Sequence, residues 1–334
     1  MQSLQAKEQQ VRQGSNSLLD SLGGFLDAAF QVLSTYSATI VAGVLVLMTV
    51  VLVAGSSPVF RRFGFIGFIT GVNWNPVIGK EAFGALPYIL GTLVTSAIAI
   101  TIGVPISLGI AIFLSEMSPW AVRGPVSQLI ELLAAVPSVI YGLWGLFVFR
   151  FWVRDWIETP LSTYVGSLPV FSGSPFGLDV LTAGLILAIM IIPTVSSVSR
   201  EVMLAVPNSQ REAAYSLGAT RWEAVRIGVL NYSRSGIFGA TILGLGRAVG
   251  ETMAVTMVIG NAKGPAAIPT SLLKASQTLG SLIANEFNEA DPTSLHPAAL
   301  IGLGLILFIF ALLINVLAQL LVWKVLKVKR GSVE

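Results

Sequence analysis

Six apolar stretches, near residues 35–57, 88–114, 127–150, 178–198, 236–260 and 298–323, constrain this chain more than any other feature. Each is long enough to supply the ~20 helical residues that cross a bilayer core. In lipid, backbone N–H and C=O groups need partners within the protein, and a helix supplies them inside one segment. The predicted fold is an all-α membrane protein with six transmembrane helices. Gly103, Pro105, Gly109, Pro137, Gly142 and Pro193 fall inside the stretches. They are tolerable there because neighbouring helices re-satisfy freed backbone groups. An even number of spans places both termini on one side.

Composition narrows the solvent and the chemistry. Only 11% of residues are charged, against about 25% in an ordinary soluble domain, so lipid is the main solvent. The chain has no cysteine, which excludes disulfides and thiolate metal sites. The lone histidine, His296, precedes a proline at the start of the last stretch. A metal site needs several ligands, so its expected role is interfacial or structural, and no metal is expected. A pI near 9.3 raises the question of nucleic acid. The basic residues answer it, because they cluster in short loops beside apolar stretches, as the positive-inside rule requires. No nucleic-acid partner and no cleavable signal peptide are expected.

Orientation follows from the same residues. With cytoplasmic termini, the inner side holds most of the Lys and Arg, including Arg123, Arg200, Arg211, Arg221, Arg226, Arg234 and the C-terminal WKVLKVKR. The outer side holds fewer, among them Arg61, Arg62, Arg150, Arg154 and Lys263. Trp152 and Trp156 then lie at the outer interface and Trp323 at the inner one. Residues 1–34 are expected to be a cytosolic segment. Leu18, Leu19, Leu22, Phe25, Leu26, Ala29, Phe30 and Leu33 form one stripe at helical spacing there, which predicts an amphipathic helix. The stripe lacks the basic face of a lipid-surface binder, so it suits packing against protein at least as well as lipid. Residues 35–57 form the first span and 58–87 an interfacial or periplasmic segment too broken by Gly and Pro to span. Residues 88–325 are the core, interrupted by a polar loop at 208–231, and 326–334 are a cytosolic tail.

That loop, SQREAAYSLGATRWEAVRIGVL over 209–230, is a polar helical segment between two spans. Ser209 precedes Glu212 by three residues and Thr220 precedes Glu223 by three, the spacing of capping boxes. Gly218 suits the left-handed turn that ends a helix. The prediction is helix, turn, helix. The first helix, about 210–217 and ~12 Å long, shows a small apolar face of Ala213, Ala214 and Leu217. Such a helix can lie in a groove of another protein, or it is an ordinary interfacial connector.

The fifth stretch contains Arg247 and Glu251. A charge near the bilayer centre costs at least ~2.5–3.5 kcal/mol, so such residues face a pathway or a partner. At i, i+4 on a helix the two share one face about 6 Å apart along the axis. Gly246 and Gly250 leave room for another helix to approach. One reading is a self-paired ion pair that fixes packing. The other is an anion step in a pathway, because a guanidinium presents a fork of donors suited to oxyanions, with Glu251 holding Arg247 when the step is empty. No nucleotide loop G-x-x-x-x-G-K-[ST] occurs, so ATP hydrolysis is not assigned to the chain.

EAAYSLGA, with Glu212, Ala213, Ala214 and Gly218, resembles the EAA motif of permease subunits in bacterial ABC importers. The family pattern usually ends in Leu-Pro, whereas this chain has Leu230-Asn231, and Asn can also end a helix in a turn. GFITGVNWNP (67–76), GALPYILGTLVTS (84–96), ELLAAVPSVIYGLWG (131–145) and GLGRAVGETMAVTMVIGN (244–261) are similar to the C-type permeases of the phosphate-specific (Pst) importers. The resemblance covers about residues 60–325. It implies a type I ABC importer permease (MetI-like) fold in the bacterial inner membrane, with a coupling helix that inserts into an ATPase subunit. It also implies a homologous second permease of the A type, two ATP-binding subunits and a periplasmic phosphate-binding protein. The chain itself would be no enzyme and need no cofactor. Glu212 is then either a cap of its own helix or a contact to the ATPase. Two rivals remain: a permease for another oxyanion, such as sulfate or molybdate, and a secondary anion transporter or channel that uses Arg247 and Glu251 without ATP.

Overall fold

The computed structural model describes the backbone of residues 2–325, with side chains from Ala29 to Leu320 apart from Ala318. Most of the expected stripe over 17–33, Trp323 and the tail 326–334 therefore lie outside the described side chains or residues. The chain divides into two compact units, Met1–Ala54 and Gly55–Glu334. The boundary falls within the first helix, α1 (Gln2–Phe63). In the first unit this helix carries apolar side chains that are largely exposed, including Phe30, Tyr36, Ile40 and Val46. The helical stretch Ala29–Phe63 is long and apolar enough to span, longer at both ends than the expected 35–57.

Within the second unit, helix α2 (Phe65–Thr70) leads into a two-stranded antiparallel hairpin, β1 (Trp74–Asn75) and β2 (Ala82–Phe83), in which Trp74 pairs with Phe83. Residues 58–87 thus contain the end of one helix, a second helix and a hairpin. Helices α3 (Leu86–Ile112), α4 (Trp120–Ala135), α5 (Ser138–Trp144), α6 (Arg150–Val153) and α7 (Thr159–Val165) follow, with wide π-type turns at Phe113–Met117, Gly145–Phe149 and Arg154–Glu158. The rest comprises α8 (Val180–Leu204), α9 (Asn208–Ser216), α10 (Arg221–Ala224), α11 (Asn231–Gly250), α12 (Met253–Val258), α13 (Leu279–Glu286) and α14 (His296–Val325).

The fold is all-α, as expected, and two of the six expected spans are interrupted among the described residues. Among the described residues, four helices are long and apolar enough to cross a membrane, and a bent pair, Trp120–Ala135 with Ser138–Val165, forms either a broken fifth span or a re-entrant loop. The expected span 127–150 is broken by a 90° bend. Pro137 at the bend has no N–H to give the carbonyl of Leu133. The Tyr141 hydroxyl donates to that oxygen instead, at 2.9 Å. The expected span 236–260 also breaks, because Glu251 is extended (ψ 128°) between α11 and α12.

α8 is the central helix. Of its most apolar stretch 72% is buried, against 28% for that of α3. Ile186, Leu187, Met190, Ile191 and Val195 pack against Ala99 of α3, Ala240 and Ala248 of α11 and Val255 and Val258 of α12. In lipid these contacts gain chiefly from close van der Waals packing, because the tails are as apolar as the side chains. Gly244 allows that closeness, since a Cβ there would sit 2.5 Å from the Val195 side chain. Gly246 and Gly250 face open space instead.

A second core gathers Phe68, Trp74, Phe83, Tyr88, Leu279, Leu282 and Leu300 around a polar knot. The Trp74 indole donates to Glu286 Oε2 at 2.8 Å, His296 Nε2 meets the same oxygen at 2.8 Å, and Lys263 pairs with Oε1. His296 is buried, so it ties α14 to α13 and β1, as a structural role requires. Burial pushes the Glu286 carboxyl up, but hydrogen bonds from Lys263, Trp74 and His296 outweigh it and hold the group below its ordinary 4.5. A lowered folded value means stability that is full above pH 4.5 and is lost as pH falls through the folded value. Thermal unfolding in detergent should therefore soften progressively below about pH 4.5. Glu286→Ala, which orphans the indole N–H, should cost ~1–3 kcal/mol at neutral pH and flatten that acid dependence. An unchanged acid profile in the variant would show that other carboxyls control it.

Candidate functional site

The polar loop folds as two helices, α9 and α10, as predicted. α9 ends in a Schellman motif: Gly218 has φ +80°, its N–H reaches Tyr215 O at 2.9 Å, and Ala219 N reaches Ala214 O at 3.2 Å. The positive φ is why glycine stands there. α10 opens on the expected capping box. Thr220 Oγ1 accepts from Glu223 N, and Glu223 Oε2 accepts from Thr220 N at 2.8 Å. Those bonds hold the Glu223 carboxyl below its ordinary value.

The other capping box does not form. α9 starts at Asn208 with Pro207 at its cap and no side-chain cap bond. Ser209 is thus already inside the helix, where its hydroxyl cannot cap. Glu212 is exposed on α9 and has no capping job. The apolar face is also redistributed. Ala214 turns inward and is buried, whereas Ala213 is exposed and Leu217 is 89% exposed. Tyr215 and Trp222 add to the exposed apolar tip. Asn231 does not end a helix. Its torsions are helical (φ −66°, ψ −37°), and the chain runs from α10 through the wide turn Val225–Leu230 straight into α11. The polar residue is accommodated because the helix simply continues, leaving no turn for it to make.

Sequence reasoning missed what fixes α9. Arg211 donates from Nε and Nη2 to the two carboxylate oxygens of Glu116, at 3.1 and 2.7 Å. It also donates to the carbonyls of Val206 at 2.6 Å and Met203 at 3.0 Å. Glu116 lies 95 positions earlier, in the wide turn that continues α3. No local pattern announces such a pair.

The second group lies in the helical core. Arg247 occupies the last turn of α11, half-buried. Its Nη1 donates to Thr194 Oγ1 of α8 at 2.9 Å. Tyr141 of α5 is near enough to interact with it electrostatically. The expected shared face with Glu251 does not exist. α11 stops at Gly250, and the backbone turns before Glu251. Glu251 Oε1 instead accepts from Ala254 N at 3.2 Å, at the start of α12. Among the described residues no carboxylate pairs with Arg247, so most of its five donors are uncommitted.

A helical membrane core that carries a rigidly anchored helix pair at one end and a cationic side chain within it has the parts of a transporter's membrane subunit. Residues 103–327 match the family of binding-protein-dependent transport system inner membrane components, and the chain belongs to that family. It is 46% identical over 306 residues to the phosphate transport system permease protein PstC of Pasteurella multocida, covering 90% of this chain and 93% of that one. The PstC of Mesorhizobium japonicum is 44% identical over 303 residues, with 90% of each chain covered. PstC 1 of Mycobacterium tuberculosis is 37% identical over 284, covering 79% and 83%. Among solved structures, a bacterial ABC transporter involved in import of the acidic polysaccharide alginate aligns at TM-score 0.51 and 16% identity, over 72% of this chain and 79% of its own. That likeness concerns the fold alone.

Proposed function

We propose that this chain is the membrane-spanning permease of an ATP-driven phosphate importer. It forms half of the translocation pathway in the bacterial inner membrane, with both termini cytoplasmic. The observation that carries the reading is the Arg247 guanidinium, half-buried among helices, anchored on one side by Thr194 and with no carboxylate partner among the described residues. A guanidinium with free donors suits a tetrahedral oxyanion. The names of its relatives make that oxyanion phosphate. A homologous second permease completes the pathway. Two ATP-binding subunits engage α9 through Glu212, Ala213 and Leu217, with Gly218 setting the turn behind them. A periplasmic phosphate-binding protein docks on the opposite side. Substrate docking and ATP-driven closure of the ATPases then shift the permease pair between inward- and outward-facing states, in proportion to their differential affinity for each.

The test is uptake of labelled phosphate by the reconstituted assembly, with sulfate and molybdate as competitors. Phosphate alone should compete in the concentration range of transport; dominant competition by sulfate or molybdate would reassign the substrate. In the same assay Glu251→Gln, which keeps an acceptor for Ala254 N, should alter uptake while leaving the amount of assembled complex unchanged. Lost assembly would assign Glu251 to structure, and unaltered uptake would remove it from the pathway.

A further inference from the structure

We infer that Arg211 and Glu116 form the joint through which movement of α9 reaches the helices that hold Arg247. The inference rests on the permease reading above and concerns how the two candidate sites communicate.

Three elements meet in one guanidinium. Arg211 belongs to α9. Its Nε and Nη2 grip the Glu116 carboxylate in a fork, 3.1 and 2.7 Å from the two oxygens. Its Nη2 and Nη1 also bind Met203 O and Val206 O, at the end of α8. A bond from Nη1 to Asn208 Oδ1 at 3.3 Å closes the set within α9. From the second loop helix, Arg221 Nη2 donates to Glu116 O at 2.6 Å. The side chains of Arg211 and Glu116 are only 19% and 10% exposed. A fork of charge-assisted bonds fixes direction as well as distance, and partial burial shields it from salt.

What lies beyond the joint gives it a use. α8 runs unbroken from Met203 back to Thr194, about 14 Å along the axis, and Thr194 holds Arg247. α3 and α8 are also tied two residues from Thr194, where Ser107 Oγ, near the end of α3, donates to Ile192 O at 3.3 Å. Packed cores transmit displacement because they have few voids in which to absorb it. A push on α9 therefore moves the ends of α3 and α8 together. If Arg211 only anchored a loop, Met203 and Val206 would suffice as partners, and the fork to Glu116, from a different helix, would have no role.

The test uses the assembly with its ATPase subunits and binding protein. The chain has no cysteine, so Ser197→Cys places a single thiol on α8 in this subunit. Its rate of modification by a maleimide should change at least threefold when ATP is added. Glu116→Gln, which keeps the shape and removes the charge, should abolish that change while the ATPase subunits remain bound and basal hydrolysis persists. Arg211→Gln should do the same. Labelled phosphate taken up per ATP should fall at least tenfold in both. An ATP-driven change that survives both substitutions overturns the joint, as does a thiol in the parent that never responds to ATP. Loss of the assembled complex in both variants assigns the pair to folding and also overturns it. Failure of the substrate reading is seen separately, as absent phosphate uptake by the unsubstituted assembly whose thiol still responds to ATP.

Discussion

Replacing Arg247 with glutamine should lower phosphate uptake by at least ~100-fold while the complex still assembles. Hydrogen bonds to a charged group are worth about 1.5–3 kcal/mol each. A guanidinium can offer two to one oxyanion, so the loss is roughly 3–6 kcal/mol, or about 10²–10⁴ in affinity for the anion at the step. Folding should be spared. The bond to Thr194 Oγ1 is the guanidinium's link to α8, and a glutamine amide still offers a donor in that direction. Because Arg247 has no carboxylate partner among the described residues, its removal strands no buried anion, which is where the large penalty of breaking an ion pair arises. The measurement is labelled uptake in vesicles containing matched amounts of complex. Near-normal uptake would remove Arg247 from the pathway.

The second large effect is expected at Glu212. Proline there falls within the nine-residue α9, removes the N–H that bonds to the Asn208 carbonyl, and costs ~3 kcal/mol or more. A helix this short is marginal without its tertiary anchor, so the proline should also loosen Arg211, the preceding residue. Phosphate-stimulated ATP hydrolysis and uptake should both be lost. Glu212→Gln separates charge from geometry. No cap depends on Glu212, so the amide leaves α9 intact, and any loss of stimulated hydrolysis reports a contact with the ATPase. Co-purification with the ATPase subunits and stimulated hydrolysis decide the matter. Full coupling in the proline variant would show that α9 is not the coupling element.

These expectations differ from those the sequence alone supports, and the reasons are physical. Hydropathy located the apolar segments, because lipid demands apolar length whatever the tertiary structure. It could not locate the breaks. Pro58, Pro105 and Pro193 lie inside continuous helices, whereas a 90° bend occurs at Pro137. At Pro137 the chain leaves the helix at Val136, which is extended (ψ 128°), and Val136 N and the Tyr141 hydroxyl both donate to the Leu133 carbonyl. Capping boxes show the same limit. Ser209–Glu212 and Thr220–Glu223 have identical spacing, yet only the second forms. The first fails because Pro207 already provides the helix start. Arg247 was legible as a cation within an apolar stretch, but its partner on α8 was not, because 53 positions separate Arg247 from Thr194. Glu116 and Arg211 were invisible as a pair for the same reason.

The tip of the loop has a consequence for how the cell handles this subunit. Leu217, Tyr215 and Trp222 stand in the open on α9 and α10, beyond a turn that Gly218 and two capping motifs keep from folding back. Apolar side chains clustered on an exposed surface mark places where proteins associate, and unmet they drive aggregation. With the loop on the cytosolic side, as proposed above, a copy synthesised without its ATPase would offer that tip to every chaperone and protease there. The abundance of the permease would then follow the supply of its partner, and the ratio of subunits in the membrane would be set by turnover of the orphan.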